Sequence, residues 1–191
     1  LWKIEITDQN RERGFVLADT AGAIKQTMLP ESRRKPTDWY DPAAMADAFA
    51  RMAREFGPTA KFVDLTFMND KVVITVQDPR KPDDYAQMLL TDAGFMRFGT
   101  PSMFAVRNPP FTIADLAPLD AKRFADLQAT TLEKLRMQPN TISSITISRG
   151  NMDPSPKGNV TVEIRAEERA FGRGGRVNYE MDGTVLKAYL P

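Results

Sequence analysis

The sequence predicts an α+β fold: a tandem of repeats, each one helix plus a four-stranded antiparallel meander, with the first repeat incomplete. Three observations predict it. One pattern is written three times, over 1–30, 71–101 and 159–191. Each copy has an alternating apolar strand, a charged loop and a second apolar run. An Asp-containing turn closed by Gly22, Gly94 or Gly183 follows, then a last strand, with a Pro seven or eight residues beyond that Gly. Two further stretches, 42–56 and 121–135, carry apolar residues at helical spacing. Between the apolar runs stand Asn, Asp and Gly, the residues that accept the positive φ of short hairpins. Self-similar units in this order mark a repeat architecture.

The elements follow from the same rules. In 1–30, Trp2, Ile4 and Ile6 alternate with Lys3, Glu5 and Thr7, the period of a half-buried strand. Phe15 to Leu17 and Ala23 to Met28 continue it as two more strands around the turn Asp19 to Gly22. Residues 31–40, ESRRKPTDWY, read as a linker, and Arg33, Arg34 and Lys35 as its solvated charges. Asp41-Pro42 then gives a helix cap with Pro at the first position. Met45, Phe49, Met52 and Phe56 form its apolar stripe and Gly57-Pro58 its stop. Four strands follow, at Phe62 to Met68, Val72 to Val76, Tyr85 to Thr91 and Phe95 to Phe98. A connector follows, with Phe104, Phe111, Ile113 and Leu116 expected to pack. Asp120 caps a second helix striped with Phe124, Leu127, Thr131 and Leu135. The last strands are Ile142 to Ser148, Val160 to Arg165, Val177 to Met181 and Val185 to Tyr189. The expected divisions are thus a partial repeat over 1–30, a linker and second repeat over 31–101, and a connector and third repeat over 102–191.

With 42% hydrophobic and 27% charged residues in 191, the composition is that of a globular chain. Basic and acidic side chains number 26 and 25, so no global field draws the chain onto nucleic acid or an anionic membrane. No apolar run reaches the roughly 18 residues of a membrane span. The first residue, Leu1, already stands inside a strand pattern, which suggests a piece of a longer protein whose leader or membrane anchor would lie upstream. Cysteine is absent, which fits a reducing compartment or an exported protein alike. Histidine is absent too, removing the usual general base near neutral pH and the commonest zinc ligand. No cofactor is expected.

The remaining chemistry is thin. Asp38, Asp41 and Asp47 surround one helix start, and Asp78, Asp83 and Asp84 share the loop DPRKPDD. Paired carboxylates can do acid–base work or hold a divalent cation, but caps and turns explain the same residues, and the loop lacks the spacing of a calcium hand. The other candidate is Arg169, Phe171, Arg173 and Arg176 in the longest excursion from the third sheet, a place for a partner to touch. Glu167 and Glu168 beside it argue against nucleic acid, and a flexible hairpin tip is the plainer meaning. In the first repeat, Trp2, Ile4, Ile6, Phe15 and Leu17 are expected to share one face that no helix of its own covers, with part of the missing cover upstream.

A helix followed by a meander whose last turn is Asp92-Ala93-Gly94 or Asp182-Gly183 resembles the PepSY-like domains. In tandem it resembles the helix-plus-sheet repeats of β-lactamase-inhibitor-like proteins. The resemblance implies a non-catalytic, extracytoplasmic module that binds a protein or peptide, attached to membrane only through a segment outside this sequence. It transfers no functional residue. A self-associating component of a cell-envelope assembly is the alternative, and a carboxylate-dependent hydrolase using Asp83 and Asp84 a third reading.

Overall fold

The computed structural model describes residues 2–7, 13–28, 36–99, 109–149, 158–168 and 172–190, with the backbone alone at some strand positions, Ile6 and Leu17 among them. The chain divides into two units, Leu1–Pro36 and Thr37–Pro191. The first is a three-stranded antiparallel sheet in the order β1 (Trp2–Thr7), β2 (Arg13–Ala18) and β3 (Ile24–Met28). Asp19 and Gly22 make its last turn as expected. The Asp19 carboxylate accepts from the N–H groups of Ala21 (3.0 Å) and Ala23 (2.9 Å), and Gly22 has φ 83°.

The register of this sheet corrects one expectation. Trp2 pairs with Ala18 and Ile4 with Val16, whereas Phe15 pairs with Glu5. Directly opposed residues share a face, so Phe15 lies with Lys3 and Glu5 on the side away from Trp2 and Ile4. Lys3 Nζ sits 5.4 Å from the Phe15 ring centroid accordingly. Position 17 pairs with position 3, one residue out of step with the face that apolarity alone suggested. Trp2, Ile4 and Ile24 remain 68%, 57% and 67% exposed.

The second unit holds both helices. In α1 (Pro42–Phe56) the Asp41 carboxylate accepts from the N–H groups of Ala43 (2.8 Å) and Ala44 (3.1 Å), and Gly57 ends the helix at φ 89°. In α2 (Ala121–Leu135) Asp120 accepts from the Arg123 N–H at 2.7 Å. Met45, Phe49 and Met52 of α1 are buried, as are Phe124, Leu127, Thr131 and Leu135 of α2. Thr131 is tolerated there because its hydroxyl bonds the Leu127 carbonyl (2.9 Å) and the Tyr179 hydroxyl (2.6 Å).

Each helix precedes four antiparallel strands. After α1 come β4 (Phe62–Phe67), β5 (Val72–Asp78), β6 (Lys81–Thr91) and β7 (Gly94–Gly99). After α2 come β8 (Ile142–Arg149), β9 (Val160–Glu168), β10 (Arg173–Glu180) and β11 (Val185–Tyr189). The first strands of the two meanders, β4 and β8, pair antiparallel, so all eight form one sheet in the order β11-β10-β9-β8-β4-β5-β6-β7.

Both helices lie on one face of that sheet. Phe49 and Phe67 stand 6.1 Å apart, Phe49 and Phe124 5.8 Å, and Phe67 and Phe124 6.3 Å, so one aromatic group joins α1, β4 and α2. Gln128 Nε2 donates to the Tyr40 carbonyl (2.7 Å) and the Tyr40 hydroxyl to the Ser143 carbonyl (2.6 Å), tying the entry of α1 to the second meander. The linker therefore ends earlier than its polar composition suggested. Trp39 is fully buried in the core and belongs with the second unit, while Arg33, Arg34 and Lys35 lie outside the described residues. The connector before α2 packs as expected through Phe111, Ile113 and Leu116, with Leu119 buried beside them and Phe111 bridging Phe62 in both directions (2.7 and 2.8 Å). Phe104 lies outside the described residues.

Candidate functional site

Strand alternation gives the eight-stranded sheet a second face, away from its helices, and that face is mostly polar. Its residues follow from the pairing. One row runs Thr75, Asp64, Ser148, Thr161, Glu180 across β5, β4, β8, β9 and β10. The next runs Val73, Thr66, Thr146, Glu163, Asn178, Lys187 from β5 to β11. A third runs Ser144, Arg165, Arg176, Tyr189 from β8 to β11. Toward β7 the face turns apolar, with Leu89 paired to Met96. Two carboxylates thus stand near the middle of a sheet, where Asp and Glu are disfavoured.

Asp64 is the more unusual of them. Thr66 Oγ1 donates to its Oδ1 at 3.1 Å and is itself 3.3 Å from Thr146 Oγ1. No basic group among the described residues forms an ion pair with it. Burial pushes its carboxyl up to about 6, and the hydrogen bond from Thr66 offsets only part of the rise. Ser148, its direct neighbour across β8, is buried, and its hydroxyl makes no hydrogen bond among the described residues. Two polar groups side by side are therefore under-satisfied, and each carries a desolvation cost of roughly 1–3 kcal/mol.

Glu163 is satisfied by two arginines. Arg165 Nε donates to its Oε1 at 2.6 Å, and Arg176 Nε stands 3.4 Å from its Oε2, an ion pair without hydrogen-bond geometry. Arg165 and Arg176 are direct cross-strand partners, an arrangement of like charges that destabilises a sheet unless an anion lies between them. The Arg176 guanidinium lies 4.1 Å from the centroid of the Tyr189 ring and Lys187 Nζ 4.6 Å from it. This end of the face gathers Arg165, Arg176 and Lys187 with the carboxylates of Glu163, Glu167 and Glu180.

The structure places the sequence-derived candidates unevenly. Arg169 and Phe171 lie outside the described residues. Arg173 opens β10 opposite Glu168 and is exposed, and Arg176 lies within the second face. Much of the excursion from the third sheet is ladder. Gly174 pairs with Glu167 and Gly175 with Ala166, leaving 169–172 between the strands. Gly175 serves packing: a Cβ there would come within 2.7 Å of both Leu135 Cδ2 and the Tyr189 carbonyl oxygen.

The earlier carboxylates are engaged locally. Asp38 accepts from Tyr40 N–H (3.0 Å), Asp41 caps α1, and Asp47 is exposed. DPRKPDD is a turn of two residues followed by strand: Asp78 accepts from Arg80 N–H (2.8 Å), Asp83 is exposed, and Asp84 pairs with Lys81 at 3.5 Å. An open cleft of about 550 Å³ is lined by Asp115, Arg149, Asn159, Glu180 and Asp182, and its Asp115 and Arg149 pair at 3.4 Å. Among the described residues no group of three His, Cys, Asp or Glu could hold a metal ion, and no helix is long and apolar enough to cross a membrane.

Asp64 and Glu163 escaped sequence reasoning as site residues because each occupies the polar phase of an alternating strand. The available signal was their type, since Thr or Ser fills that phase at less cost. Comparison with known protein families, with curated proteins and with solved structures returned no match.

Proposed function

We propose that the chain is a non-enzymatic binding module that holds a protein or peptide partner on the sheet face turned away from its helices. The observation that carries this reading is the placement of Asp64, Glu163, Arg165 and Arg176 in that face. Asp64, buried without an ion-pair partner among the described residues, lowers the stability of the fold, and a position that lowers stability without a structural gain is a candidate for function. The half-buried hydroxyl groups of Thr66 and Thr146 beside it suit recognition by hydrogen bonds. The order of helix and meander, met twice, supports reading the two halves of the second unit as the second and third of three tandem repeats, with 1–30 as the incomplete first. A place outside the cytoplasm rests on the PepSY-like resemblance of that unit.

The test is a pull-down from the envelope fraction of the source cell with the chain and with Thr146→Trp, which sets a bulky ring in the middle of the face. Near-UV circular dichroism confirms that the variant is folded. A partner retained by the first and lost by the second is the expected result; equal retention refutes the reading. One observation favours a second reading, self-association. Trp2, Ile4 and Ile24 expose an apolar patch on the first unit. Sedimentation showing a dimer that disappears in Ile4→Ser would support it.

A further inference from the structure

We propose that β7, an outer edge of the eight-stranded sheet, is a docking strand for a second copy of this chain. The two copies of β7 pair antiparallel about a two-fold axis at Met96 and join the two sheets into one. This interface is independent of a partner held on the polar part of the face. Backbone geometry supplies the first reason. Among the described residues β7 pairs only with β6, and the two-residue turn Asp92-Ala93 closes on the pair Thr91–Gly94. Such a turn closes on a hydrogen-bonded pair, and alternate residues of a strand aim their N–H and C=O groups at opposite sides. Gly94 and Met96 therefore bond β6, whereas the backbone groups of Phe95 and Arg97 face the open edge. From Gly94 to Arg97 the ladder is regular, and another strand matches such a row of donors and acceptors in spacing.

Side chains choose the occupant and the register. On the side away from the helices, Met96 and Phe98 are 52% and 65% exposed beside Leu89. Directly opposed residues share a face, so a two-fold pair of identical strands is centred on one residue. Centred on Met96, the pairing sets Met96 against its own copy and Phe98 against Gly94 of the second copy. Nothing lies within 4 Å of a Cβ built at Gly94, so the Phe98 ring has room there. On the helix side the same register sets Arg97 against Phe95 of the second copy, a cation beside an aromatic ring that Phe56 already holds at 5.1 Å. Centring on Arg97 instead would oppose like charges.

The charges around the edge allow this register. Arg97 is the only charged residue of β7 and forms no ion pair among the described residues. On the flank of α1 turned to β6, Arg51 donates to the Thr91 carbonyl at 3.3 Å and Glu55 follows one turn on, so that flank brings one charge of each sign. At the turn, Asp92 accepts from the Thr37 N–H at 3.1 Å.

The chain has no cysteine, so single cysteines report the pairing directly. Opposed residues of a non-hydrogen-bonded pair, as Met96 and its copy would be, have Cα atoms about 4.5 Å apart, within disulfide reach. Sedimentation should show a monomer–dimer equilibrium below about 0.1 mM, with its dissociation constant raised at least about tenfold in Met96→Lys. Near-UV circular dichroism checks that this variant is folded. Under mild oxidation Met96→Cys should give a disulfide-linked dimer at least about tenfold faster than Arg97→Cys or, on the opposite edge, Lys187→Cys. A monomer at every concentration up to that limit overturns the proposal, as does a dimer unaffected by Met96→Lys, or faster crosslinking from position 97 or 187 than from 96. Thr146→Trp should leave the dimer intact, which separates this interface from the partner site. A dimer lost in Ile4→Ser but kept in Met96→Lys belongs to the first unit and refutes the β7 pairing.

Discussion

Replacing Asp64 by Asn should make the fold more stable at neutral pH, and by an amount that follows from the raised carboxyl. Its pKa lies near 6 in the folded chain against an ordinary 3.8. Below about pH 4 the residue is protonated in both states and contributes nothing. Between about 4 and 6 the unfolded chain releases the proton while the folded chain keeps it, so stability falls as pH rises. Above 6 the full loss is present, at most about 3 kcal/mol and nearer 2 with the screening that partial exposure allows. Asn keeps the shape and an acceptor for Thr66 Oγ1, and has no proton to lose. Urea unfolding of both proteins from pH 4 to 8 measures the difference directly. Their curves should lie close at pH 4 and diverge as pH rises, with the variant ahead by about 2 kcal/mol at pH 7.5. Parallel curves, or a less stable variant at pH 7.5, would refute the account of Asp64 as an uncompensated charge.

Other substitutions test the frame that holds the face. Gly175→Ala should destabilise by about 1–3 kcal/mol in thermal or urea unfolding, because the Tyr189 carbonyl at 2.7 Å is backbone and cannot move aside. Gly174→Ala, with its nearest contacts at 3.6 and 3.7 Å, should stay within about 0.5 kcal/mol of the parent. Asp41→Ala removes the bonds to Ala43 and Ala44 and should cost about 1 kcal/mol, while the exposed Asp47→Ala should cost little. Acrylamide should quench Trp2 and spare the fully buried Trp39, so Trp2→Phe should leave a blue-shifted, quencher-resistant emission.

Much of the fold was legible because its signals are local. The Asp41-Pro42 cap, the stripe Met45, Phe49, Met52 and the Gly turns each depend on a few neighbouring residues, and Gly22, Gly94 and Gly183 all adopt the positive φ their turns imply. What was not legible depends on pairing between distant strands. Alternation shows that Phe15 has a face, but only the register with Glu5 shows which. Trp39 reads as linker beside Thr37 and Asp38, yet a single large apolar side chain reaching the core outweighs its polar neighbours. Phe15 and Trp39 misled for one reason: tertiary placement overrode local composition. The second face stayed hidden likewise, since Asp64, Glu163, Arg165 and Arg176 are scattered between positions 64 and 176 and share a face only when β4 pairs with β8, β8 with β9 and β9 with β10.

The most direct test of the central claim places a photocrosslinking amino acid at position 146, in the middle of the second face, and separately at position 126, on the exposed side of α2. Illumination in the source cell, followed by mass spectrometry of the adducts, should give a discrete partner from position 146 and none from position 126. The same partner captured only from position 126, on the helical side, would contradict the account.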